Sequence, residues 1–165
     1  MQDNFMKKEH LEYLNSKEPG EALVKALTRL IDKDRDLFEI NVNERSITHK
    51  FALYLQEIYK DWNVDCEYNR KGHDIKELEI QELKPNNQDS DAQTVFPDII
   101  IHKRVSDENY LVIEAKKTSS SVSKKADIKK LNAFRDQLGY QYALFIEFSV
   151  KPNEAGINDL EWVGA

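Results

Sequence analysis

The stretch "FPDIIIHKRVSDENYLVIEAKK", Phe96 to Lys117, decides how the rest of the chain is read. Two apolar runs, Ile99–Ile101 and Leu111–Ile113, flank a polar segment, which reads as a β-hairpin. Ionisable groups stand where strand composition favours Val or Ile: Asp98 near the start of the first strand, Glu114 and Lys116 near the end of the second. Strand side chains alternate between faces. Phe96, Asp98, Ile100 and His102 therefore share one face of the first strand, and Tyr110, Val112, Glu114 and Lys116 share one face of the second. With the turn centred near Ser106, Asp98 lies opposite Glu114, and opposed residues have Cβ atoms roughly 4.5–5.5 Å apart. Two carboxylates that close repel each other and need a counter-charge. A divalent cation supplies it, and hard oxygen ligands suit Mg²⁺ or Mn²⁺ rather than zinc. Such a metal would lower the pKa of a bound water and offset charge on a phosphate. Lys116 would orient or deprotonate that water, or stabilise the transition state. This is the chemistry of phosphodiester hydrolysis.

Outward from the hairpin, the chain reads as alternating elements. Downstream, "KKADIKKLNAFRDQL" predicts a helix over 125–137 with Ile128, Leu131 and Phe134 on one side, ended by Gly139. "YQYALFIEFSV" follows as the most apolar strand, expected over 141–148 and central in the sheet. After Pro152 the tail carries no clear pattern, although Trp162 implies that it packs somewhere. Upstream, "VDCEYNR" predicts a strand near 64–69, separated from the hairpin by a polar loop over 71–94. Loops of that length are functional or disordered, and this one is expected to border the substrate cleft. A helix over 44–60 is predicted from an N-cap at Asn43 and an apolar stripe of Ile47, Phe51, Leu55 and Ile58. Residues 1–40 are expected to form an N-terminal helical extension, with Leu23, Leu27, Leu30 and Ile31 on one face and a break at Pro19–Gly20. Glu44 lies on the apolar-stripe side of its helix, where it either completes a metal shell or complements the helix dipole.

The 165 residues suit a single domain, 40% hydrophobic and 33% charged. No run approaches a membrane span, the first residues lack the apolar core of a signal peptide, and Cys66 is the lone cysteine. A reducing cytoplasm is the expected location. Net charge is −6, which argues against a non-specific nucleic-acid coat. Its distribution is uneven. Lys116, Lys117, Lys124, Lys125, Lys129, Lys130 and Arg135 fall in one segment with Asp127 as its single acid. Lys117 and the row from Lys124 to Arg135 are thereby expected to contact nucleic-acid phosphates. His102 is expected to be an exposed strand-end residue, His49 a surface residue, and Glu67 an edge charge or a group behind the metal ligands.

Pro97–Asp98 followed by Glu114-Ala115-Lys116 resembles the PD-(D/E)xK nuclease superfamily. That resemblance implies a restriction-endonuclease-like αβββαβ core, a mixed sheet flanked by helices, and the predicted order from Glu44 to Val150 matches it. It further implies that Asp98 and Glu114 bind Mg²⁺ (or Mn²⁺) with the Ala115 carbonyl and Glu44, and that Lys116 is catalytic alongside them. The substrate would be DNA ahead of RNA, and the protein a nuclease acting alone, as a homodimer or within a larger complex. The Gln-x-x-x-Tyr signature of exonuclease-type members is absent. Two rivals predict other outcomes. A catalytically silent module of the same fold would bind nucleic acid or protein within a defence or repair assembly. A structural α/β domain would leave the hairpin charges exposed and far apart.

Overall fold

The hairpin forms as β6 (Ile99–His102) and β7 (Asn109–Lys117), antiparallel, with Ile99 opposite Ile113 and Ile101 opposite Leu111. The ladder ends at Ile99 and Ile113, and just beyond it the Asp98 N–H points to Glu114 Oε1 at 3.3 Å, which sets the two residues side by side as expected. In this computed structural model the described residues are 5–68 and 96–164, with four short strands between them. Those strands form two antiparallel pairs, β2 (Arg70–Lys71) with β3 (Asp74–Ile75) and β4 (Glu77–Leu78) with β5 (Gln93–Thr94). The rest of the loop expected over 71–94 lies outside the described residues.

Five strands make one mixed sheet in the order β1-β6-β7-β8-β9, where β1 is Asn63–Cys66, β8 Tyr142–Ser149 and β9 Gly156–Trp162. Only β7 and β8 run parallel, since α4 (Lys124–Leu138) carries the chain across the sheet between them. Helices α2 (Gly20–Glu39) and α3 (Glu44–Ile58) cover one face, over Ile99, Ile101, Leu111, Ile113, Leu144 and Phe148. Helix α4 covers the other with Leu131 and Phe134, over Ile100, Val112 and Phe145. Both faces of β6 and β7 are thus buried, which is why each reads as an unbroken apolar run. The architecture is α/β, with helices on both sides of a mixed sheet.

Local signals account for most boundaries. Asn43 Oδ1 accepts from the Ser46 N–H at 3.0 Å and starts α3, whose Ile47, Phe51 and Leu55 are buried. Ser123 caps α4 in the same way, and Gly139 ends it in a left-handed conformation (φ 70°). Helix α2 runs beyond its predicted apolar core to Glu39, with a kink at Asp34, whose carboxylate accepts from the Tyr54 hydroxyl on α3. Ahead of it stands a short α1 (Lys8–Leu14). The tail after Pro152 is a further strand, β9, antiparallel to β8, with Trp162 buried. Among the described residues, no helix is long and apolar enough to cross a membrane.

Candidate functional site

Because β6 begins at Ile99, β7 runs on beyond Ile113 with its β6-facing edge open. Asp98 turns into that opening. Its Oδ2 accepts from the Ala115 N–H at 2.8 Å, and its own N–H points to Glu114 Oε1 at 3.3 Å. Two residues along the same edge, the Lys117 N–H donates to Glu44 Oε2 at 3.1 Å. In a strand, a residue's N–H and C=O lie on the same side, so the Ala115 carbonyl opens between these two carboxylates. The four residues expected from the sequence to hold a metal therefore line one sheet edge. They offer only oxygen donors, a set suited to a hard divalent cation. Among the described residues, no three His, Cys, Asp or Glu side chains form a ready metal-binding group. Each of these three carboxylates instead faces a donor of the protein itself.

Glu114 is 3% exposed. Burial pushes its carboxyl well above the usual range, the adjacent Asp98 charge adds to this, and the Lys130 ammonium opposes it. Lys130 Nζ lies 3.0 Å from Glu114 Oε1. Desolvation would lower the Lys130 pKa, but the Glu114 and Asp98 charges outweigh it and raise it. Asp127, one turn earlier on α4, is pushed up to about 6 by burial, with the Asp98 and Glu44 charges adding to it against Lys130 and Lys116. Glu114 is thus buried, with the Asp98 backbone beside it and the Lys130 ammonium in contact.

Lys116, next to Glu114 on the same face, is also buried. Its ammonium donates to the Val122 carbonyl and stands 3.7 Å from Glu147 Oε2. Glu147 is its register partner on β8 and accepts from Asn158 as well. Sequence reading missed Glu147, Asp127 and the inward position of Lys130. Glu147 carried the signal that marked Glu114, an acid inside the apolar run "LFIEFS".

The expected row of phosphate contacts is changed. Of Lys117, Lys124, Lys125, Lys129, Lys130 and Arg135, only Lys125 is exposed. Lys117 Nζ donates to Asn41 Oδ1 (3.0 Å) and the Val42 carbonyl (2.7 Å), on the turn between α2 and α3. Lys124 pairs with Asp159 (2.7 Å) and Glu161 (2.9 Å) on β9. Arg135 donates to the Val163 carbonyl at 3.0 Å, and Lys129 is half-buried. Lys124 and Lys130 turn inward because α4 lies over Asp159, Glu161 and Glu114 of the sheet, whereas Lys117 and Arg135 are drawn to amide and carbonyl oxygens.

His102 corrects another expectation: it is 3% exposed, not a surface residue. Strand β1 pairs beyond it, and Asp65 accepts from His102 Nε2 at 2.8 Å and from Arg104 Nε at 2.9 Å. Burial acts to raise the Asp65 carboxyl, but these two partners together hold it down to about 2. Tyr68 covers His102 with ring centroids 4.8 Å apart. Glu67 is an edge charge, 3.3 Å from Arg45, and its positive φ (49°) ends β1. His49 is exposed, as expected. A surface depression of about 580 Å³, lined among others by Phe5, Arg35, Glu39 and Asn158, contains none of the site residues.

No protein-family model, curated protein or solved structure matches the chain.

Proposed function

We propose that this chain is a divalent-metal-dependent nuclease of the PD-(D/E)xK type, with DNA the preferred substrate. The observation that carries the reading is that Asp98 and Glu114 adjoin at the open edge of β7, the Asp98 N–H on Glu114 Oε1 and the Asp98 carboxylate on the Ala115 N–H, with Lys116 next on the strand. The chain order α3, β1, β6, β7, α4, β8 supports it, being the order that the resemblance implies. A Mg²⁺ or Mn²⁺ ion at that edge would acidify a water and offset phosphate charge. Asp98 and Glu114 would hold it, with the Ala115 carbonyl and Glu44 completing the oxygen set. Asp98 is kept in place by the Ala115 N–H, and Glu44 by the Lys117 N–H, so backbone rather than flexible side chains sets their positions. Lys116 would orient the attacking water through its ammonium, once that ammonium leaves the Val122 carbonyl, or, only as the neutral amine, take the water's proton. Glu147 holds that ammonium on the sheet surface in the meantime.

The test is cleavage of labelled DNA and RNA by purified protein with Mg²⁺ or Mn²⁺. Lys116→Ala is expected to lower the rate by roughly 10²–10⁴, the usual contribution of a positioned acid or base. Equal rates for wild type and Lys116→Ala would remove Lys116 from catalysis. One observation favours the silent-module reading: the Lys116 ammonium is engaged by Glu147 and Val122 rather than by the carboxylate pair. Under that reading the protein binds no Mn²⁺ calorimetrically and still retards DNA on a gel.

A further inference from the structure

The position a cation would take beside Glu114 is filled by a side chain. Lys130 Nζ lies 3.0 Å from Glu114 Oε1, with 18% and 3% of the two side chains exposed. A buried carboxylate beside a second one is costly without a positive charge, and Lys130 supplies that charge here. The contact also accounts for why, among the described residues, no three acids form a ready metal-binding group although Asp98 and Glu114 adjoin. Glu114 faces Lys130, Asp98 faces the Ala115 N–H, and Glu44 faces the Lys117 N–H. An ammonium and a dication on the same carboxylate oxygen repel each other, so a metal taking Glu114 Oε1 would displace the Lys130 ammonium from it. Lysine is a point charge on a flexible four-carbon stem, so the ammonium can leave without displacing α4.

We infer that Lys130 is a displaceable counter-ion: a divalent ion enters when the ammonium leaves Glu114, and a phosphate of the bound nucleic acid then receives that ammonium. This rests on the metal-dependent reading above. Lys130 thereby keeps the phosphate contact expected from the sequence, but reaches it by exchange rather than from an open surface. Metal and nucleic acid then strengthen each other's binding, and linkage makes the effect reciprocal.

The experiment is calorimetric titration of Mn²⁺ into wild type, Lys130→Gln and Lys130→Arg, each alone and with a short DNA duplex carrying phosphorothioate linkages. Glutamine keeps a donor toward Glu114 without the charge, and arginine keeps the charge. Wild type is expected to bind Mn²⁺ weakly alone and roughly tenfold more tightly with the duplex, a coupling of ordinary size. Lys130→Gln is expected to bind tightly alone and to gain little from the duplex, while Lys130→Arg behaves as wild type. If wild type binds Mn²⁺ equally with and without duplex, or Lys130→Gln binds no more tightly than wild type, the exchange is overturned and the metal-dependent reading stands. If no protein binds Mn²⁺ under either condition, the metal-dependent reading fails and takes the exchange with it. Should Lys130→Gln not fold, the two wild-type titrations decide alone, and absence of tightening overturns the exchange.

Discussion

Asp127 shows how one residue records its surroundings. Its carboxyl is pushed up to about 6 from 3.8 by burial first and by the Asp98 and Glu44 charges after it. Between those two values the folded protein holds a proton that the unfolded chain has released. The resulting stability is fully present below pH 3.8 and is lost as pH rises through about 6. Asp127→Asn carries no such proton. In metal-free buffer the variant should therefore show a flatter stability profile from pH 4 to 6 than wild type. At pH 7 it should be more stable by about 1 kcal/mol, a value discounted for the solvent that reaches a half-exposed group. Urea unfolding at several pH values checks this, and identical slopes for the two proteins would count against the assignment.

Single elements depend on contacts that side-chain chemistry alone does not announce. Gly20 opens α2 where the chain crosses the end of α1, and a Cβ built there would lie 2.1 Å from the Leu14 carbonyl oxygen. Alanine is the better helix former, yet Gly20→Ala should destabilise by about 1–3 kcal/mol, because backbone must move to admit the methyl. A thermal midpoint equal to or above wild type would refute that. At the other edge of the fold, Asp65 fastens β1 to β6 through His102 and Arg104. Its carboxyl is held down to about 2, so its contribution is present above pH 3.8 and fades as pH falls through about 2. Asp65→Asn is expected to cost about 2 kcal/mol at pH 7, less than a fully buried pair because Arg104 is half exposed. The deficit should shrink by pH 2.5, and denaturant titrations at both pH values measure it. Strand β9 belongs to this scale too: Asp159 and Glu161, polar in isolation, lie under Lys124 of α4.

At the scale of the whole molecule, a folded state with an oxygen-lined edge that binds Mn²⁺ must be stabilised by it. At a hundredfold excess over Kd the gain is about 2.7 kcal/mol, by mass action on the native state. A rise in the thermal midpoint with Mn²⁺, reversed by EDTA and absent in Asp98→Asn, is the expected result. An unchanged wild-type midpoint at millimolar Mn²⁺ would speak against any metal at this edge. The net charge of −6 is a property of composition, and the segment from Lys116 to Arg135 is not the open basic surface it would be in an extended chain. Lys117, Lys124, Lys130 and Arg135 each meet a protein partner, so the basic segment is far less a surface than its composition suggests.

The sequence by itself determined what depends on neighbours in the chain. Period-2 alternation and the apolar runs set β6 and β7 in register, and just past the end of that ladder Asp98 adjoins Glu114. The stripe of α3 and its Asn43 cap were legible for the same reason, as was the αL glycine that ends α4. Only the tertiary structure decided what depends on partners distant in the chain. Glu147 reaches Lys116 only when β8 lies parallel to β7, and Lys117 meets Asn41 across 76 residues. Strand β9 carries polar residues because α4 answers them, and Lys130 points inward because a buried carboxylate needs a positive charge. A lysine in a helix looks the same in sequence whether it faces water or Glu114. The difference is a matter of desolvation and Coulomb attraction, which exist only once the sheet edge and the helix have come together.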